Sequence, residues 1–252
     1  MVIKEYGDKN LPKIVLLHPM LADGECMLKL TDGMTGKYCF ITPDLSGQGS
    51  DEGEFESAEK EAHTLTKYLK NNGFDTIELI AGASLGGVVG MLMLADADIR
   101  YKTAVFDGTP MYENAKFIFQ LMKFGFLKKH RKAVGMQPAD VRRVMESKYG
   151  IFGECMAKNF VGISEKSLVA IVKACSDFSF PPIPEDMQKR IFLEVGSKDM
   201  NCRQNRVVLK HYPHVHIKVR DGYGHCMYPA AHHKEYGRLL EMYMNKQPVG
   251  RS

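Results

Sequence analysis

Short apolar runs alternate with longer amphipathic stretches over most of the chain. Ile14–Leu17 and Tyr38–Ile41 are continuous apolar runs of strand length, as expected of strands covered on both faces. Ile77–Ala81, Thr103–Phe106 and Ile191–Val195 repeat that pattern. Val215–Val219 alternates with period two, and Val2–Tyr6 alternates weakly, as an edge strand would. Ser57 is placed to cap a helix running to about Leu69, with Glu59 and Glu61 in its first turn and Asn71-Asn72-Gly73 ending it. Val88–Leu94, Cys202–Lys210 and the stretch from about Pro229 to Met244 also read as helices, and Gln247-Pro248 marks a loose tail. Strands alternating with helices predict an α/β fold, with a mostly parallel central sheet and helices on both faces.

The alternation stops between residues 111 and 187. Periodicity there predicts only helices, over Glu113–Lys132, Pro138–Tyr149 and Ser164–Ser176, before Phe180–Pro184 closes the stretch. This is too long for an ordinary connection. It reads as a helical cap inserted into a core domain made of residues 1–110 and 188–252. Phe117, Phe119, Met122, Phe124, Phe126, Met136, Tyr149, Met156 and Phe160 recur at helical spacing in it. Many of these must pack on the core. Others would line a pocket suited to an apolar acyl or aryl group.

Composition narrows this reading only slightly. A chain of 252 residues can bury one large α/β core, and 44% hydrophobic with 25% charged residues is ordinary for a globular protein. A formal charge of +4 makes no case for a nucleic-acid partner. The basic run Lys123, Lys128, Lys129, His130, Arg131 and Lys132 reads first as a solvated face, with a membrane surface or an acidic substrate as alternatives. No apolar run reaches membrane-span length, so membrane association is not expected. The six cysteines form no C-x-x-C pair or zinc-like spacing, so no metal is expected. With no basic-then-apolar leader at the N-terminus, the expected setting is cytoplasmic, with reduced thiols. The pattern leaves the oligomeric state open.

Candidate chemistry centres on Gly82-Ala83-Ser84-Leu85-Gly86-Gly87, which lies between a strand-like and a helix-like run. A serine on a sharp strand–turn–helix junction is the G-x-S-x-G nucleophile elbow, and its small flanking residues let strand and helix approach. A serine nucleophile needs a base and an orienting acid. His225 follows the last strand in Gly222-Tyr223-Gly224-His225, and Asp199 follows the strand before it in Gly196-Ser197-Lys198-Asp199. Asp107, in the turn Asp107-Gly108-Thr109-Pro110, is the alternative acid. Simpler roles are a loop residue for His225, a helix-capping turn residue for Asp199 and a turn former for Asp107. His18 reads as loop-fixing and Cys226 as a small buried hydrophobe.

The order Ser84, Asp199, His225, together with Leu16-Leu17-His18-Pro19-Met20 and Pro43-Asp44-Leu45-Ser46-Gly47-Gln48-Gly49-Ser50, resembles the α/β-hydrolase family over nearly the whole chain. The likeness is to capped serine hydrolases of the esterase and C–C hydrolase type. It implies Ser84 as nucleophile, His225 as general base and Asp199 as orienting acid, with the backbone N–H groups of Met20 and Leu85 as the oxyanion hole. It implies a cofactor-free serine hydrolase acting on a small-molecule carboxylic ester of a small or medium apolar acid. The alternatives are a C–C bond or thioester hydrolase, haloperoxidase-type chemistry, or a non-catalytic ligand-binding member. Pro19 stands where the family usually has glycine, and Gln48 where it often has histidine. The family's first strand or two is expected to be missing.

Overall fold

The computed structural model describes residues 1–246, so the tail predicted at Gln247-Pro248 lies outside the described residues. In chain order the strands are β1 (Val2–Tyr6), β2 (Lys13–Leu17), β3 (Cys39–Asp44), β4 (Thr76–Ile77), β5 (Leu79–Ala83), β6 (Arg100–Tyr101), β7 (Ala104–Asp107), β8 (Ile191–Gly196) and β9 (His216–Arg220). The α-helices of the first half are α1 (Gly24–Leu28), α2 (Ala58–Asn71) and α3 (Leu85–Met93). Then come α4 (Lys116–Val134), α5 (Pro138–Tyr149), α6 (Gly153–Gly162), α7 (Glu165–Ala174) and α8 (Glu185–Gln188), all between β7 and β8. Last are α9 (Asn205–His211), α10 (Met227–Ala231) and α11 (His233–Asn245).

Seven strands form one sheet in the order β1-β3-β2-β5-β7-β8-β9, parallel throughout except for β1, which runs antiparallel to β3. The apolar runs fall at its centre. Every residue of β5, β7 and β8 is buried, as continuous apolar strands require when helices cover both faces. β9 alternates because it is an edge, and β1 is the other edge.

Several boundaries differ from the sequence expectation. The run Ile77–Ala81 divides. Thr76–Ile77 pairs with Arg100–Tyr101 in a separate two-stranded ribbon, and the sheet strand begins at Leu79. The predicted C-terminal helix breaks at His232 into α10 and α11. Cys202–Lys210 opens with a 3₁₀ turn over Met200–Gln204 before α9. Helices α1, α6 and α8 carry too short or too weak a periodicity to be read. Tertiary contact stabilises such short pieces more than propensity does.

The segment 111–187 is helical as expected. It meets the rest of the chain through α6, α7 and the 3₁₀ turn Gly150–Phe152, which packs against α10. On α7, Leu168, Ile171 and Val172 are fully buried, and α7 packs against α3. Full burial stabilises by about 1.5–3 kcal/mol per side chain, which outweighs the exposed Arg131–Glu165 ion pair between α4 and α7. On α6, Asn159 Nδ2 donates to Ala22 O at 3.0 Å, and its Oδ1 accepts from Gly49 N at 3.0 Å. Cys155 of α6 is joined to Cys26 of α1 by a disulfide across 129 residues of sequence, where reduced thiols were expected. That pairing depends on how two distant helices meet, which cysteine spacing does not encode.

Candidate active site

Ser84 ends β5 and starts α3 in a strained backbone conformation, with φ 49° and ψ −113°. Two backbone bonds hold it: Ser84 N donates to Asp107 O at 2.8 Å, and Ser84 O accepts from Val88 N at 3.1 Å. A non-glycine residue with positive φ is costly unless its surroundings over-determine it. The glycines are among those surroundings. A Cβ on Gly82 would lie 2.7 Å from Gly86 O, and one on Gly86 would lie 2.1 Å from Leu17 O. The first turn of α3 therefore sits directly on the end of β2, as the elbow reading requires.

Three side chains that are distant in sequence meet here. His225 Nε2 is 2.9 Å from Ser84 Oγ, and His225 Nδ1 is 2.8 Å from Asp199 Oδ2. A carboxylate only accepts, so Nδ1 carries the proton and Nε2 is left to accept from the serine hydroxyl. Asp199 is 7% exposed and Ser84 4%, while the His225 side chain between them is 45% exposed. The β8 and β9 ends are neighbours, which puts the turns bearing Asp199 and His225 side by side. Ligands of open parallel sheets bind at these carboxyl ends.

The alternative acid stands elsewhere. Asp107 ends β7 and is 2% exposed, but it makes no hydrogen bond to His225 among the described residues. Burial pushes its carboxyl up to about 7, partly offset by the nearby His225 and Cys226. Cys226 is half-buried, and its thiol is pushed well above the ordinary range by desolvation and by the Asp107 and Asp199 charges, which fits an inert thiol rather than a reactive thiolate.

The expected oxyanion donors come from two different elements. Leu85 begins α3 directly after Ser84, and Met20 lies in the loop after β2. That loop is pinned from inside. His18 is fully buried, its Nε2 accepting from Leu45 N at 2.9 Å and its Nδ1–H donating to Pro19 O at 2.8 Å. Burial holds the His18 imidazole below its ordinary value, which keeps it neutral and loop-fixing as the sequence reading has it. Pro19 has no N–H to give, but its carbonyl accepts from His18 and from Ala22 N. Leu21 takes a left-handed φ of 70°, and its N–H goes to Gln48 Oε1 at 2.6 Å. Gln48 thus braces the loop, and the N–H of Met20 has no partner among the described residues.

Sequence reading missed Asn201. Its backbone N donates to Asp199 Oδ1 at 3.0 Å, its Nδ2 donates to Gly108 O at 2.8 Å, and its Oδ1 accepts from Tyr112 OH at 2.7 Å. Nδ2 is also 3.4 Å from His225 Nδ1. Both are donors there, so this is packing rather than a hydrogen bond. Asn201 therefore joins the acid, the β7 turn and the start of the helical segment. The nearest sequence signal is its place two residues after Asp199 in an Asx-type turn.

The aromatic and methionine residues of the helical segment divide. Met156 and Phe160 are buried, Phe119, Met122, Phe126, Met136 and Tyr149 are half-buried, and Phe117 and Phe124 face solvent. A cleft of about 600 Å³ opens between α1 and helices α5 and α6, lined in part by Met136, Val141, Arg142 and Val161, with Ser84 outside its walls. Asp23, Cys26 and Cys155 on the same cleft are the one group of three metal-capable side chains with clustered donor atoms among the described residues. With the two sulfurs bonded to each other, neither is a thiolate ligand.

No family profile and no curated protein sequence matches the chain. Solved structures do. MGS-M2, an alpha/beta hydrolase enzyme from a Medee basin deep-sea metagenome library, superposes with a TM-score of 0.77 at 12% identity, covering 100% of this chain and 96% of that one. A thermophilic esterase from Thermogutta terrifontis gives 0.71 at 14% identity, covering 96% and 92%. A bromoperoxidase from Bacillus anthracis gives 0.71 at 16% identity, covering 97% and 95%. The chain has the α/β-hydrolase fold. At these identities the likeness extends to the fold and not to a particular activity.

Proposed function

We propose that this protein is a serine hydrolase that cleaves a carboxylic ester of a small or medium apolar acid through an acyl-enzyme. The observation that carries this reading is the continuous hydrogen-bonded set Ser84–His225–Asp199, at 2.9 and 2.8 Å, on a strained elbow. His225 Nε2 accepts the serine proton as Ser84 Oγ attacks the carbonyl carbon. Asp199 stabilises the imidazolium through Nδ1. The N–H groups of Met20 and Leu85, with the N-terminus of α3 behind Leu85, receive the developing oxyanion. Collapse expels the alcohol, which takes its proton from Nε2. Water, deprotonated by the same nitrogen, then attacks the acyl carbon. The acid leaves and Ser84 regains its proton. Each step uses side chains and backbone groups of the chain itself, so the reading calls for no metal or cofactor.

Residues 111–187 act in this reading as the cap that selects the acyl or aryl part, over a core of residues 1–110 and 188–252. Asp107 serves as a buried structural carboxyl rather than a triad member. In line with a small-molecule substrate, no described helix is long and apolar enough to cross a membrane. A cytoplasmic location remains part of the proposal.

A fluorophosphonate probe tests the nucleophile. Native protein should label covalently and Ser84→Ala should not. An unlabelled native protein would sink the enzyme reading in favour of a binding protein on this fold. A panel of p-nitrophenyl esters of increasing acyl length then tests the bond. Turnover of short and medium esters is expected. Labelling with silence across the panel would move the reading to C–C or thioester chemistry on the same triad.

A further inference from the structure

We propose that the outer face of α4 docks onto an anionic lipid surface. This goes beyond hydrolysis and does not depend on it. Phe117, Leu121 and Phe124 stand at positions i, i+4 and i+7 of α4, which places them on one face. They are 81%, 59% and 69% exposed. The opposite face carries the two buried residues of the helix, His130 and Ala133, with Met122 and Phe126 half-buried beside them. Continuing the outer stripe by the same spacing leads to Lys128 and then to Arg131 and Lys132, all exposed. One face of one helix is thus aromatic and aliphatic in its first half and basic in its second.

Charge decides what covers this face. The six charged residues of α4 are Lys116, Lys123, Lys128, Lys129, Arg131 and Lys132, so the helix has no acidic residue. Arg131 is engaged by Glu165 of α7, and Glu113, just ahead of α4, faces His211. Among the described residues, Lys128, Lys129 and Lys132 make no salt bridge.

Isolated surface hydrophobes need no explanation, but a contiguous stripe marks an interaction site. A second copy of the chain meeting this face by two-fold symmetry would bring together two helices that have no acidic residue, and would leave the lysines of both without counter-charge. Anionic headgroups supply the missing charge. A helix lying in the interface, with Phe and Leu in the acyl boundary and lysines at headgroup level, matches both halves of the stripe. The basic run alone reads as a solvated face. The outward Phe117 and Phe124 beside it change that.

Sedimentation of the full-length protein with vesicles tests this. One set is phosphatidylcholine alone, and in the other a third of the lipid is phosphatidylglycerol. Binding should be about tenfold or more tighter to the anionic vesicles and should weaken with salt. The double variant F117S/F124S removes only exposed side chains and should lower that affinity about tenfold or more. K128E/K132E should lower it by at least about fivefold per lysine. Circular dichroism melts should show both variants folded. The proposal is overturned by absent binding to anionic vesicles, by binding that F117S/F124S leaves unchanged, or by light scattering that shows a dimer which F117S/F124S dissociates. The last result would assign the face to a second copy.

Discussion

β5, β7 and β8, whose C-terminal ends hold Ser84, Asp107 and the turn to Asp199, are buried at every residue. Helix α4, four residues beyond the Asn201-bonded Tyr112, buries two of its nineteen. The strand ends are held by ladders of backbone bonds, and those bonds exist whatever the side chains are. Residues 111–187 are held by side chains: the apolar face of α7, the Asn159 bridges and one disulfide. Under the proposed function, the contrast gives rigid placement of the reacting groups to the sheet and selection to the helices. It also predicts that substitutions in the two regions will fail differently, the first losing turnover and the second changing affinity or stability.

The largest effect should come from the nucleophile. Ser84→Ala is expected to lower kcat for a p-nitrophenyl ester by about 10⁴-fold or more with the fold intact. Next is the acid. Asp199→Asn should lower kcat by about 10⁴-fold, because His225 would be held in the wrong tautomer, while Asp107→Asn stays within a few fold. If Asp107→Asn alone were crippled, the acid would belong to β7 and the contrast between the two carboxyls would fall. Asn201→Ala keeps the backbone N–H that Asp199 accepts but removes the ties to Gly108 O and Tyr112, so it should cost about tenfold in kcat with KM little changed. A rise in KM at constant kcat would place Asn201 in the pocket instead.

The helical segment should give smaller numbers. Asn159→Ala leaves Ala22 O and Gly49 N without their partner and should cost about 1–3 kcal/mol of stability. Chemical denaturation measures this, and KM should shift more than kcat. A last effect depends on pH. The buried Asp107 carboxyl is raised to about 7 in the folded protein, so the folded state keeps a proton that the unfolded chain releases near 3.8. Stability from this group is full below about pH 4 and is lost as pH rises towards 7. Asp107→Asn should therefore melt like the native protein in acid and at higher temperature above pH 7. A melting difference that does not depend on pH would remove Asp107 from the titrating set.

Much of the site could be read before any fold was known. Ser84, Asp199 and His225 each follow a strand-like run and sit in a turn rich in small residues, so local pattern placed all three on strand ends, and the chain order supplied the assembly. His18 as a loop brace was legible for the same reason. Asn201, Gln48 and Asn159 were not, because their partners lie 93, 27 and 137 residues away and a lone amide has no period. Helices α1 and α6 escaped because they are short and are stabilised by what they touch.

The sequence by itself determined the alternation of strand and helix and the position of Ser84 on a strand–turn–helix elbow. Both follow from what a backbone locally permits: β-branched and aliphatic runs that bury on two faces, and glycines where chains nearly touch. Only the tertiary structure decided which way the helices of residues 111–187 face. Periodicity tells that Phe117, Phe119, Phe124 and Phe126 share a helix. It does not tell which of them the core will cover, because burial depends on the surface a helix meets. In this fold that surface takes the side holding His130 and Ala133 and leaves Phe117 and Phe124 to the solvent.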